Sequence, residues 1–221
     1  MTTDDGARSD RQRDRQPLSR DRVLAAAIDI ADEQGVDGLS MRKLAAALGF
    51  EVMSLYNHVE NKDDLLDGMV DLVAAQIVAP PADLPWKPAV RAIAMSAHAA
   101  LVRHPWAAAL WSSRWPGPHR WHYMEALLHH LGRADLPDDV ADVGFHAVTL
   151  HIQGFTSQQL AYAEQVADRA EMFARFHRTV TADEFPLVVA HVRYHQEHEA
   201  RRDEFGFVLD LILDGLERAA G

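Results

Sequence analysis

The stretch from Leu39 to Leu66, LSMRKLAAALGFEVMSLYNHVENKDDLL, constrains the fold of this chain more than any other part of it. Ser40 is placed to cap a helix, Met41 to Leu48, whose apolar residues Leu44, Ala45 and Leu48 share one face, and Gly49 is placed to end it. After the short turn GFE, the spacing predicts a second short helix, Val52 to His58, with Leu55 and Val59 directed to a core and the other face left free. Asn61 then caps a longer helix, Lys62 to about Val78, with Leu65, Leu66, Met69, Val70, Val73 and Ile77 along one stripe. Helices this short bury little by themselves. Two of them joined by a tight glycine turn form either a helical hairpin of a core or a helix-turn-helix, whose second helix enters the major groove of DNA.

The flanking pattern is helical throughout. Residues 1–17 are polar, charged and closed by Pro17, which predicts a disordered arm. Ser19 opens a helix with Val23, Leu24, Ala27, Ile28 and Ala31 at helical spacing, and Gly35 stops it. Pro80, Pro81, Pro85 and Pro88 mark the clearest break in the chain. Beyond it the pattern predicts helices from about Pro88 to Arg103, near Trp106 to Ser113, and, after the loop RWPGPHR, from about Trp121 to Leu131. A long helix from about Asp138 to Gln165 follows, then a charged segment, then helices near Phe185–Glu199 and Arg202–Ala219. No segment alternates as a strand does. The expectation is an all-α chain with an arm (1–17), a helix-turn-helix domain (18–66) and a helical ligand-binding and dimerisation domain (67–221).

Composition removes several classes of function. The absence of cysteine excludes disulfide scaffolds, thiolate zinc sites and cysteine nucleophiles. No apolar run is long enough to span a bilayer and the N-terminus lacks a signal-peptide core, so a cytoplasmic location without membrane association is expected. The net charge of −11 is unevenly spread. Residues 1–62 carry −2 and the remainder −9, while six arginines and three aspartates stand between Arg8 and Arg22. An acidic body with a locally basic N-terminal end is compatible with a phosphate backbone.

The string GVDGLSMRKLAAALGFEVMSLYNHVENKDDLLDGM, Gly35 to Met69, resembles the DNA-binding domain of the tetracycline-repressor (TetR) family of bacterial transcription regulators. The resemblance runs through the G-x-x-G-L-[ST] entry, the R-K-L-A-x-x-L-G helix, the S-L-Y-x-H-V recognition helix and the N-K-x-x-L-L restart. It is nearest to the tetracycline-repressor branch of that family. Beyond Pro80 it is thinner, carried by HPWAAALWSSRWPGP (His104–Pro118) and FGFVLDLILDGLE (Phe205–Glu217).

The resemblance implies a division of labour in the head. Arg42 matches a position that reaches a base edge, where a guanidinium fork suits guanine O6 and N7, or else a phosphate. Tyr56 and Lys62 match phosphate contacts, which position the domain without reading sequence. His58 matches a backbone or sugar contact, a packed histidine being the alternative, and Ser54 could bond phosphate or base. Val52 and Met53 depart from the tetracycline-repressor branch, which carries a polar residue and a proline there. Apolar side chains can touch thymine methyls but make no bidentate bonds, so a different operator is implied. Arg8, Arg11, Arg13 and Arg15 either enter the minor groove or form a solvated tail.

For the remainder, the resemblance implies a repressor working as a homodimer, which encloses a small-molecule pocket and releases a palindromic DNA operator when the effector binds. Phe205, Val208, Leu209, Ile212, Leu213 and Leu216 form a stripe too broad for a lone surface helix. With the helix around Val143–Leu160 they would build a four-helix interface across a two-fold axis, unless they belong to a monomer core. Such a dimer sets two recognition helices roughly 34 Å apart, one DNA turn. The candidate effector residues are Met95, His98, Trp106, Trp111, Trp115, Trp121, Met124, His146, His151, Gln153 and Phe155, each of which could equally be core. Trp111 stands where the tetracycline-repressor branch has a magnesium-binding histidine, and Ile93 and Ala97 stand at two drug-contacting positions. The expectation is therefore no metal, no cofactor and a larger or more aromatic effector.

The competing reading is a helical metal-binding protein or metalloenzyme. In HVRYHQEHE, His191 and His195 lie one helical turn apart, with His198 and Glu199 following, and two imidazoles at that spacing can hold Zn²⁺. The segment is heavily charged and is not H-E-x-x-H, which favours a solvated face. No nucleophile elbow, phosphate loop or dinucleotide fingerprint is present, so no enzyme is expected.

Overall fold

A computed structural model describes residues 17–165, 169–197 and 203–219. The arginines of the arm at Arg8, Arg11, Arg13 and Arg15, together with His198 and Glu199, lie outside the described residues. Among the described residues the chain is all-α: α1 (Arg20–Gln34), α2 (Met41–Leu48), α3 (Val52–Leu55), α4 (Lys62–Ala74), α5 (Trp86–Arg103), α6 (Pro105–Leu110), α7 (Pro118–Leu131), α8 (Asp138–Gln165), α9 (Arg169–Thr179), α10 (Pro186–Glu197) and α11 (Glu204–Ala219). A 3-10 turn, Val36–Gly38, joins α1 to α2. Two compact units divide within α4, between Met69 and Val70.

In the first unit the capping chemistry sets the helix limits. Ser19 and Ser40 accept from the backbone N–H of Arg22 and Lys43, and Asn61 accepts from that of Asp64. Gly49, at φ 72° and ψ 32°, takes the left-handed conformation that ends α2. There the Phe50 N–H reaches back to the Ala45 carbonyl. Val23, Leu24, Ala27, Ala31, Leu39, Leu44, Ala45, Leu55, Val59, Leu65 and Met69 are buried. Ile28, expected in the apolar stripe of α1, is only half-buried, and Ile30 is buried instead.

Several elements differ from the sequence pattern. The recognition helix ends at Leu55 rather than His58, and residues 56–58 form a turn. His58 N–H and Val59 N–H both bond the Leu55 carbonyl, and Arg20 donates to the His58 carbonyl, so the chain leaves α3 through a tight turn. Helix α4 ends at Ala74 rather than near Val78, tightening into three-residue steps at Gln76 and Ile77 ahead of Pro80 and Pro81. Prolines start helices well, so α6 and α7 open on Pro105 and Pro118. The charged segment after α8 holds a helix, α9, that its sequence conceals behind Arg169, Glu171, Arg175, His177 and Arg178.

In the second unit α5 is the central element, packing against α7, α8 and α11, with Ala89, Val90, Ile93, Ala94, Ala97 and Leu101 buried. Its alanines admit the neighbouring helices closely. Phe205, Leu209, Leu213 and Leu216 of α11 are buried, whereas Val208 is exposed and Ile212 half-buried, so the stripe read from sequence divides between two faces. Lys87 pairs with Asp214 at 2.7 Å, and Arg91 with Asp210 at 2.8 Å, which set the register of α11 along α5. The pairs are exposed and add orientation more than stability.

Buried Asp71 caps α7 from another helix. Its carboxylate accepts the backbone N–H of His119 (3.2 Å) and Arg120 (2.9 Å), at the positive end of the α7 dipole. Gly117 is required beside it, because a Cβ there would come within 2.5 Å of the Asp71 carboxyl carbon.

Candidate nucleic-acid interface and ligand cavity

In the first unit, full burial of Leu55 anchors the short helix α3 and turns its other side outward. Met53 is 74 % exposed, Tyr56 is exposed, and Val52, Ser54 and His58 are half-buried. Arg42 and Lys62 are exposed and, among the described residues, make no ion pair or hydrogen bond through their side chains. Lys43, next to Arg42, is instead tied back to Gln34 and to the Gly38 carbonyl. Arg20 holds Asp64 through two bonds, and Asp64 in turn takes the Glu60 N–H at 2.8 Å. The turn after α3 is thereby fixed from both sides. The seven residues singled out in the sequence thus lie on α2 (Arg42), on α3 (Val52, Met53, Ser54), in the turn that follows it (Tyr56, His58) and at the start of α4 (Lys62).

The second unit contains a cavity of about 860 Å³, between α5, α8, α9, α10 and the start of α11. Its walls are largely aromatic: Phe155 and Tyr162 from α8, Phe173 and Phe176 from α9, and Phe205 from α11. Polar groups stand among them, from His98, Gln158, Gln159, His191, His195, Asp203 and Glu204. The His98 ring stacks on Phe205 at 4.0 Å and 7°, and His151 stacks on the same phenylalanine at 4.6 Å and 17°. Phe155 stands edge-on to all three rings. Burial, followed by the neighbouring His151, holds His98 below its ordinary pKa and favours the neutral ring.

Of the eleven effector candidates, Met95, His98 and Phe155 line this cavity. His151 is bonded to the Phe205 carbonyl at 3.0 Å, behind the lining. The tryptophans, which dominated the sequence reading, do not line it. Trp106 and Trp111 are buried, Trp111 standing edge-on to Tyr123 with the Arg120 guanidinium 4.6 Å from its ring centre. Trp115 is 76 % exposed and Trp121 is exposed on α7. Met124 is half-buried on α7, Gln153 accepts a bond from Ser112, and His146 is exposed beside Asp142. Ile93 borders a second space of only about 130 Å³, and Ala97 is fully buried.

The lining residues absent from the effector candidates fall on the far end of α8, on α9, on α10 and at the start of α11. Met172 and Phe173 lie one helical turn before Phe176, in the charged segment after α8. Gln158, Gln159 and Tyr162 continue the Phe155 face at i+3, i+4 and i+7, a signal that was available. His191 and His195 form an edge-on pair at 4.6 Å on the cavity side of α10. No group of three metal-ligating side chains occurs among the described residues. No helix there is long and apolar enough to cross a membrane.

A helix-turn-helix head with an outward recognition face, joined to a helical unit enclosing an aromatic cavity, defines a ligand-responsive DNA-binding regulator. The sequence comparisons agree. Residues 23–69 match the bacterial regulatory proteins of the tetR family, and residues 79–220 match the tetracyclin repressor-like C-terminal domain. The chain belongs to the TetR family of transcriptional regulators, which are not enzymes. It is 36 % identical over 215 residues to the HTH-type transcriptional repressor DrrR1 of Streptomyces coeruleorubidus, covering 90 % of this chain and 77 % of that one. It is 42 % identical to the class D tetracycline repressor protein of Escherichia coli over 90 residues, 39 % of this chain and 41 % of the repressor. Among solved structures, ActR of Streptomyces coelicolor in complex with actinorhodin superposes with a TM-score of 0.76 at 28 % identity, over 93 % of this chain and all of that one.

Proposed function

We propose that this protein is a repressor that binds a palindromic operator as a homodimer through the α2–α3 head and is released by a small, largely aromatic effector held in the 860 Å³ cavity. Residues 18–66 would be the DNA-binding domain and 67–221 the effector and dimerisation domain, working in the cytoplasm. The observation that carries the reading is the recognition face: a helix anchored by fully buried Leu55 presents exposed Met53 and Tyr56 beside the unpaired cations Arg42 and Lys62. A guanidinium and an ammonium without an ion pair among the described residues keep their donors for phosphate and base edges.

Two further features support the homodimer and the effector. Val143 and Leu150 on α8 and Phe207, Val208 and Leu211 on α11 are exposed, and a Cβ at Gly154 or Gly215 would meet nothing. Two adjacent helices with apolar, glycine-notched outer faces suit the close packing of a four-helix interface with a second copy. The cavity has the size and lining of a site for a drug-sized molecule. ActR, similar over nearly the whole chain, holds actinorhodin, and DrrR1 is a repressor.

The test is a gel shift with duplex DNA from the region upstream of the protein's own gene. A salt-sensitive complex of two chains per duplex is expected, weakened by Arg42→Ala and by Tyr56→Ala. Binding indifferent to both substitutions would remove the recognition face from the proposal. Bound aromatic effector should raise the protein's thermal midpoint and dissociate the complex.

A further inference from the structure

We propose that the cavity takes a planar polycyclic phenol carrying no negative charge, and that His98 Nε2 selects it by accepting a hydrogen bond from the phenolic hydroxyl. The proposal rests on the cavity being the effector site.

The tautomer of His98 follows from its partner. Thr156 is fully buried, and its hydroxyl has a single hydrogen, which it donates to the Ile152 carbonyl. The 2.8 Å contact between Thr156 Oγ1 and His98 Nδ1 therefore has the ring N–H as donor. In the neutral ring Nε2 is then a bare lone pair, and no bond to it forms among the described residues. The ring cannot turn to hide it, because it is stacked on Phe205 and held edge-on by Phe155. Burial, with His151 nearby, disfavours protonation, so this edge of the cavity presents an acceptor.

The remaining lining decides the rest of the ligand. Phe155, Phe173, Phe176 and Phe205 offer ring faces and edges to a flat apolar body. Among the described lining residues there is no lysine or arginine, whereas Asp203, paired with Arg91 at 3.5 Å, and Glu204 are present. Arg91 is already committed to Asp203 and Asp210. A carboxylate entering the cavity would therefore be desolvated beside Glu204 without a cation of its own among the described lining residues, which is costly. A phenol supplies the donor that His98 lacks and brings no charge to neutralise.

Fluorescence titration with hydroxypyrene, methoxypyrene and pyrenecarboxylate tests this at neutral pH, where the phenol stays undissociated. The wild-type protein should bind hydroxypyrene about tenfold tighter than its methyl ether, the worth of one half-buried hydrogen bond, and the carboxylate most weakly. His98→Phe keeps a stacking ring and removes the acceptor, so it should bring hydroxypyrene to the level of methoxypyrene. Thr156→Val frees the tautomer while conserving shape and should erode the same preference, which covers a failure of His98→Phe to fold. Phe173→Ala should weaken all three probes together. Equal binding of phenol and ether by the wild type, tight carboxylate binding, or a preference that survives His98→Phe overturns the role of His98 while the cavity remains the site. Absence of binding by any probe, or indifference to Phe173→Ala, overturns the cavity reading itself.

Discussion

Arg20 and Asp64 stand 44 positions apart in the chain and meet through two parallel hydrogen bonds, 2.9 and 2.6 Å long. The same guanidinium donates to the His58 carbonyl at 2.8 Å, and the same carboxylate accepts from the Glu60 N–H. The first turn of α1 therefore clamps the segment that runs from the end of α3 to the start of α4. Hydrogen bonding from Arg20 holds the Asp64 carboxyl below its ordinary value of 3.8.

The clamp bears on DNA binding more than on stability. Both side chains are partly exposed, so Arg20→Ala should cost less than about 1 kcal/mol of unfolding free energy. Loss of the fork should let Tyr56 and Lys62 drift and weaken operator binding roughly tenfold. Arg20→Lys should restore little of the affinity, because an ammonium cannot bridge a carboxylate and a carbonyl in one plane. Thermal melts and fluorescence anisotropy on the same variants separate the two effects. Equal losses in both would make the pair a plain stability element.

The recognition face should divide into residues that read charge and residues that read sequence. Lys62→Ala should reduce the slope of log affinity against log salt by about 1 and weaken binding to every duplex alike. Met53→Gln should leave the slope unchanged and move the preferred base at one position, since an amide bonds adenine where a thioether can only touch a methyl. Selection from a randomised duplex pool reads the second effect. A salt slope altered by Met53→Gln, or a sequence preference altered by Lys62→Ala, would reverse these roles.

The head was legible in the sequence because its information is local. Ser40, Gly49 and Asn61 each act within a turn of themselves, and the structure uses all three as caps and stops. The end of α3 was not legible, because it depends on Arg20, which approaches from another helix. The cavity was less legible for the same reason. Hydrophobic richness pointed to the tryptophans between Trp106 and Trp121, yet Trp106 and Trp111 serve as packing and Trp115 and Trp121 face outward. The open space lies beside α9, a helix whose apolar residues, chiefly Met172, Phe173 and Phe176, are interleaved with charges. A cavity forms where neighbouring elements fail to meet, and no residue's own neighbours in sequence record that.

The outer faces of α8 and α11 should control assembly. Leu150, 68 % exposed, sits on the same helix face as Val143 and Gly154. Leu150→Asp would place an unpaired carboxylate in the proposed four-helix interface and should raise the dimer dissociation constant more than about a hundredfold. Gly154→Leu should act similarly through bulk, although within one protomer its new side chain enters open space. Sedimentation velocity reads the assembly, and circular dichroism verifies that the helices persist. A dimer undisturbed by both substitutions would place the interface elsewhere, and operator affinity should fall with dimerisation in either variant.

Two imidazoles, His130 buried and His98 half-buried, should make the protein less stable on mild acidification. His98 and His130 both lie below their ordinary value of 6.5 in the folded chain, in each case chiefly because burial penalises the charged ring. The unfolded chain therefore takes up protons first as pH falls. Stability from these groups is complete above about pH 7 and is lost from about pH 6.5 down toward the folded values. The carboxylates Asp64 and Asp214 are held below 3.8 by Arg20 and Lys87, so their own losses come at lower pH and leave the window between pH 7 and 5 to histidine. The thermal midpoint should fall across that window, by about 2–4 °C for each kcal/mol. His130 adds a second cost, since its Nδ1 is buried without a hydrogen-bond partner. His130→Leu should flatten the pH dependence and raise the midpoint at pH 7, because it removes a stranded polar atom and keeps an apolar side chain of similar bulk. His98→Phe should flatten it without the second gain, because Nδ1 of His98 is bonded to Thr156. An unchanged slope in both variants would assign the acid sensitivity to other histidines.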